Sequence, residues 1–183
     1  MSKRENAQQV VEKHVLWSVA AGLVPLPIVD FVTVGLIQHD MLKQIASAYE
    51  LSFSETQGNY WVSMLTGTLL ARVGASALKM IPGIGSVLGG VAGSVTAGAS
   101  TYAIGQVAIN HFDVGGTFAN LDMDAARRTY EQELERGKQV AKDLSDEKKE
   151  PLDKLERLGQ LRDKGVITAQ EFEEQKKRVL ASL

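Results

Sequence analysis

The residues able to do chemistry in this chain are few and scattered. His14, His39 and His111 fall one to each of three predicted helices, which reads as surface or interface histidines and not as a ligand set. His39 and Asp40 are adjacent, so their side chains diverge on a helix and make a poor metal pair. Asp30 follows Pro25 and Pro27 and would be a functional carboxylate if it lay at membrane depth, where an acid is costly. Stabilisation of a helix N-terminus accounts for it more simply. Gly83-Ile84-Gly85 resembles the opening of a dinucleotide loop, but no strand precedes it and the third glycine is misplaced. No G-x-x-x-x-G-K-[ST] run occurs, so the chain is not itself a P-loop nucleotidase. The absence of cysteine excludes disulfides and thiolate metal sites and fits a reducing compartment. No nucleophile, base and acid stand out as a set. The sequence therefore predicts no catalytic residue, no cofactor and no metal, and the protein is read as a non-enzyme.

What must position these residues is a strongly divided chain. Of its 42 charged residues, 13 lie in Met1–Leu121 and 29 in Asp122–Leu183. The first part is thus far more apolar than the mean of 44% hydrophobic residues suggests, and the last part is highly solvated. A net charge of −2 with no basic cluster gives no case for nucleic-acid binding. The N-terminal residues mix Lys3 and Arg4 with Glu5 and Glu12, which does not read as a cleaved signal peptide.

The organising stretch is Met80–Asn110. After Lys79 no Lys, Arg, Asp or Glu occurs until Asp113. At a spacing of four, Gly85, Gly89, Gly93, Ala97, Thr101 and Gly105 share one helix face, with Ser86, Gly90, Ser94 and Gly98 in the adjacent row. Each glycine costs a helix about 1 kcal/mol relative to alanine. Close approach of a second backbone is the compensating reason, most common in lipid. These residues are expected to form a glycine-zipper seam against another helix, within the chain or across a subunit interface; a Gly-rich buried helix in a soluble bundle is the other reading.

Four further helices are predicted before the tail. The first covers about Glu5–Leu23, with Ala7, Val10, Val11, His14, Val15 and Ser18 as its buried stripe. Pro25 and Pro27 break the apolar run Val15–Ile37 into a helix–turn–helix, with Asp30 in the first turn of the second helix, which runs to about Tyr49. Ser54 and Gln57 form a capping-box pattern that opens a third helix to about Leu78. Pro82 and Gly83 mark the turn before the Gly-rich helix, expected over Gly85–His111. A solvated helix follows, Met123–Leu144, laced with opposite charges three or four apart. Ser145–Pro151 reads as a charged linker. Leu152–Leu183 reads as a helical hairpin with Leu155, Leu158, Leu161, Phe172 and Leu180 as its apolar set. At about 30 residues it is too small to fold firmly alone, so it should pack on itself in pairs or on a partner.

The segment Gly22-Leu23-Val24-Pro25-Leu26-Pro27-Ile28-Val29-Asp30, with the helix that ends in Tyr49, resembles a GTPase-associated bacterial family of unknown function. Pro82-Gly83-Ile84-Gly85-Ser86 and Thr101-Tyr102-Ala103-Ile104-Gly105 resemble that family's second signature, so the likeness covers about Val11–Phe112. It implies membrane association and a GTPase partner, and it implies no catalytic residues. This chain carries no GTPase domain of its own. Leu155-Glu156-Arg157-Leu158, the run Leu161–Thr168 and Glu171–Lys177 resemble the short C-terminal domain of many bacterial proteins, which implies oligomerisation or docking. A bacterial source follows from the two likenesses.

The expectation is an all-α chain in three parts: a helical membrane-associated domain at 5–116, a charged helix and linker at 117–151, and the hairpin at 152–183. It is expected to act as a non-enzymatic scaffold or adaptor that self-associates at the bacterial inner membrane, with its charged C-terminal part in the cytoplasm. Membrane lipid, further copies of itself and a separate GTPase are its expected partners. The alternatives are a soluble bundle that binds a protein directly, and an oligomeric pore-forming or membrane-remodelling protein.

Overall fold

The charge-poor and charge-rich parts of the chain fold by the same means, helix against helix. A computed structural model describes residues 1–23, 29–77 and 91–183. These residues form seven helices and, among them, no strand: α1 Lys3–Leu23, α2 Val29–Ala48, α3 Glu55–Ala77, α4 Val91–Asp113, α5 Met123–Glu147, α6 Lys149–Asp163 and α7 Ala169–Leu180. The all-α expectation holds. Pro25, Pro27, Pro82, Gly83, Gly85 and Gly89 lie outside the described residues.

Local chemistry sets several of the boundaries. Ser2 and Glu5 cap α1 reciprocally, the Glu5 N–H donating to Ser2 Oγ (3.1 Å) and the Ser2 N–H to Glu5 Oε2 (2.7 Å). Asp122 accepts from the N–H groups of Asp124 and Ala125 at the head of α5. These bonds hold its carboxyl below the usual range. Thr168 and Glu171 form a full capping box on α7. The expected linker Ser145–Pro151 is instead helical except at Lys148. Pro151 falls in the first turn of α6, where a missing N–H does little harm.

The helices pack chiefly around α4. Contacts from Gly22 with Ser94 at one end to Arg4 with Asp113 at the other make α1 and α4 antiparallel. α2 lies against both, reaching α1 through Asp40 and α4 through Gln38. α3 joins at the edge, where Trp61 stacks on Phe112 at 5.7 Å and meets Phe118 at 4.7 Å. α5 was expected to be a solvated helix, yet Ala126, Tyr130, Leu134, Gly137 and Ala141 bury one face against the bundle. Those five recur at three or four, so one stripe serves the core while the charges occupy the rest of the surface. α6 and α7 pair with one another, and α6 also touches α1 and α5. Their Leu152, Leu155, Phe172 and Val179 are continuous with the bundle core.

This arrangement gives the bundle two unlike ends. At one, Lys3 pairs with Glu50 (2.8 Å), and Arg4 and the Tyr49 hydroxyl both meet Asp113. At the other lie the C-terminus of α1 and the N-termini of α2 and α4. Among the described residues no helix is long and apolar enough to cross a membrane. The apolar run Val15–Ile37 is shared between two helices, and α4 interrupts its own with buried Ser94, Ser100, Thr101 and Gln106.

Candidate functional site: a small-residue seam closed by buried hydroxyls

The seam begins with atoms that are missing. A methyl at Gly98 would sit 2.7 Å from Val19 Cγ2, 2.9 Å from Ala141 Cβ and 3.4 Å from Val15 Cγ1, between α1 and α5. At Gly105 it would lie 2.5 Å from Val11 Cγ2. At Gly22 it would lie 2.7 Å from Ser94 Cα, and at Gly137 2.7 Å from the Ala99 carbonyl oxygen. These approaches are closer than carbon atoms tolerate; the neighbour is backbone at Gly22 and Gly137 and a side-chain carbon at Gly98 and Gly105, and this close packing offsets glycine's helix cost of about 1 kcal/mol.

The residues expected to share one seam are not equivalent. Gly105 and fully buried Thr101 lie in the interface with α1. Ala97 contributes its carbonyl to the Thr101 hydroxyl. A methyl at Gly93 would meet nothing within 4 Å among the described residues. The tight contact at that level comes from Gly22 of α1, against Ser94. Asp30 falls in the first turn of α2, which begins at Val29.

Where α1, α2, α4 and α5 converge, the seam holds a polar cluster out of water. Gln38 Nε2 donates to Ser100 Oγ and Thr101 Oγ1, both at 3.2 Å. Thr101 Oγ1 donates to the Ala97 carbonyl at 3.0 Å, which uses its single proton. The Ser18 hydroxyl, 2.7 Å away, must therefore donate to Thr101. Ser100 shares a 2.9 Å bond with the Tyr130 hydroxyl. All five residues are buried, and burial pushes the Tyr130 phenol up despite the Ser100 bond. A half-satisfied network of this kind would cost more than an apolar core, so its completeness matters. It fixes the register of four helices and contains no group poised for acid–base work.

The histidines take separate partners. His14, fully buried, has Nδ1 2.7 Å from the Val10 carbonyl and Nε2 3.1 Å from Asp40 Oδ2. Burial alone would raise the Asp40 carboxyl, but hydrogen bonds from His14 and Gln44 outweigh it and hold the group below its usual range. His39 lies 3.0 Å from Glu55, and His111 Nε2 donates to the Thr117 carbonyl at 2.9 Å. Adjacent His39 and Asp40 thus serve different helices, as their angular separation demands. Among the described residues no group of three His, Asp or Glu side chains is placed to hold a metal.

In the hairpin, Phe172 and Leu155 are buried, Leu158 and Leu180 are partly so, and Leu161 is exposed. The Arg162 guanidinium lies 4.6 Å from the centre of the Phe172 ring, a cation–π contact that covers the ring's outer face.

Sequence reasoning missed Ser100, Tyr130 and Gly137 as members of the seam. Two signals pointed to them: a glycine in mid-helix among charges, and a three-and-four stripe ending in Ala141. Gln38, within an otherwise apolar stripe of α2, was the third clue.

The fold and this seam define a class, an all-α bundle whose helices pack closely at glycines and around a buried hydroxyl cluster. Residues 1–139 match the family described as a domain of unknown function, DUF697, and the chain belongs to that family. Residues 153–180 match the short C-terminal domain. Magnetosome membrane protein 22 of Magnetospirillum gryphiswaldense is 39% identical over 140 residues, covering 74% of this chain and 72% of that protein. No solved structure matches.

Proposed function

We propose that the protein is a non-enzymatic scaffold that attaches to a membrane through one end of its helical bundle and self-associates through its C-terminal hairpin. The observation that carries this reading is the contrast between the ion-paired end of the bundle and two charge-poor stretches of the sequence. The ion-paired end presents Lys3, Arg4, Glu50 and Asp113. By contrast, the sequence stretches Val19–Ile37 and Thr68–Gly98 carry only Asp30, Arg72 and Lys79 as charged residues. Apolar segments with so few charges gain about 25 cal/mol per Å² of apolar area moved out of water. The magnetosome membrane relative supports the same location, and the short C-terminal domain supports assembly. A bacterial inner-membrane site with the charged C-terminal part in the cytoplasm, and service to a separate GTPase, complete the proposal.

The test is fractionation of native membranes, followed by washes in high salt and in alkaline carbonate. Retention in the pellet after both is the expected result. Recovery of monodisperse protein without detergent would sink the membrane reading. It would favour the second one, a soluble bundle that binds its partner directly. Leakage of dye-loaded liposomes would instead indicate pore formation. Capture of a GTPase that depends on the bound nucleotide would establish that partner.

A further inference from the structure

α5 and α6 are separated by Lys148 alone, whose backbone (φ −102°, ψ 27°) leaves the helical region. Pro151 supplies the cause. It has no N–H for the Glu147 carbonyl, and its ring collides with that carbonyl in a straight helix. On both sides of the joint the backbone stays bonded: the Lys148 N–H donates to the Leu144 carbonyl (3.0 Å), and the Leu152 N–H donates to the Lys148 carbonyl (3.2 Å). Everything beyond is therefore a helix pair hung on two dihedral angles.

That pair is folded back on the bundle. Leu183, just after α7, lines a cavity of about 380 Å³ together with Leu16 and Trp17 of α1 and Leu144 of α5. The rim carries both signs of charge, with Glu12, Lys13, Glu147 and Lys148. The hairpin likewise carries both signs, with Lys176 paired to Glu173 and Arg162 to Asp163.

We propose that this groove also receives the hairpin of a second copy, the two chains exchanging α6 and α7 by rotation at Lys148. The occupant follows from the cavity's own wall: Leu183, at the end of the chain's hairpin, already lines it, and the identical segment of a neighbour would take that place with no new kind of contact. Rotation outwards exposes Leu16, Trp17 and Leu144 on one side and Leu152 on the other, and only an equivalent hairpin restores both. The mixed-sign rim suits this mixed-sign segment and disfavours a polyanion. The inference rests on the self-association proposed above and gives it a mechanism.

The test uses full-length chain with p-benzoylphenylalanine replacing Gln9, an exposed residue on the groove's edge. Unlabelled and ¹⁵N-labelled chains are mixed while dilute, concentrated, irradiated and digested. Exchange predicts that the oligomer contains cross-links from position 9 to the 180–183 segment in mixed-isotope form, at the proportion random pairing gives. Pro151→Ala, which permits a straighter α5–α6, should raise the oligomer fraction several-fold at equal concentration. Thermal melts and circular dichroism establish that the variant is folded. An oligomer yielding only same-isotope cross-links at this site would overturn the exchange while leaving self-association standing, and so would a folded Pro151→Ala with unchanged distribution. A chain that stays monomeric at every concentration would overturn both.

Discussion

Along α1 and α4 two helices are held by what their side chains lack. In α6 and α7 two helices are held by one large ring. Gly22, Gly98 and Gly105 let the first pair approach until a methyl would fall within 2.7 Å of the facing helix, and buried hydroxyls lock the register. In the hairpin, Phe172 fills the space between two charged helices and Arg162 covers it. The first device has little slack, because Gly22 faces backbone while Gly98 and Gly105 face β-branched valines whose χ1 is stiff. The second concentrates the energy of a small unit in a few residues, so it can fail alone. A rigid bundle carrying a locally fragile appendage is the consequence.

The largest expected effect breaks the first device. Gly98→Leu places a side chain between Val19 and Ala141, and should cost more than the ~1–3 kcal/mol typical of a single overpacked site. Loss of a cooperative melt in the purified full-length chain is expected, and a normal melting temperature would refute the close contact. Phe172→Ala comes next, at about 3–5 kcal/mol for a buried ring. It should melt the hairpin and lower the oligomer size while amide exchange in α1 and α4 stays slow; uniform loss of protection would show that the two regions are one cooperative unit.

A smaller change sharpens the comparison within the seam. Thr101→Val keeps the shape but removes the acceptor for Ser18 and Gln38, leaving buried donors unpaired at a cost of about 1–3 kcal/mol. Denaturant titration should show a lower midpoint with unchanged slope. The smallest effect has the opposite sign. Gly93 meets nothing within 4 Å among the described residues, so Gly93→Ala should stabilise the chain by up to about 1 kcal/mol through helix propensity. A destabilised Gly93→Ala would refute the open space at that position.

Periodicity and punctuation alone determined much of this protein. The α1 stripe of Ala7, Val11, His14, Val15 and Ser18 was legible because burial repeats with the helix. The head of α7 was legible because Thr168 and Glu171 carry out their chemistry within four residues. The Gly-rich run called for a close neighbour, since glycine in a helix demands a reason, but it did not say at which glycine. Tertiary structure alone decided which glycines meet which helix. Gly93 and Gly98 look alike in sequence, but only one faces α1 and α5, and that depends on crossing geometry between segments far apart in the chain. It also decided that His14 meets Asp40 and that Ser100 meets Tyr130, because a hydrogen bond between helices requires coordinates that no local pattern encodes. The expected linker at Ser145–Pro151 misled for the same reason. Charge and proline there mark exposure and a bend, whereas continuation as helix depends on the α1 surface against which α6 can lie.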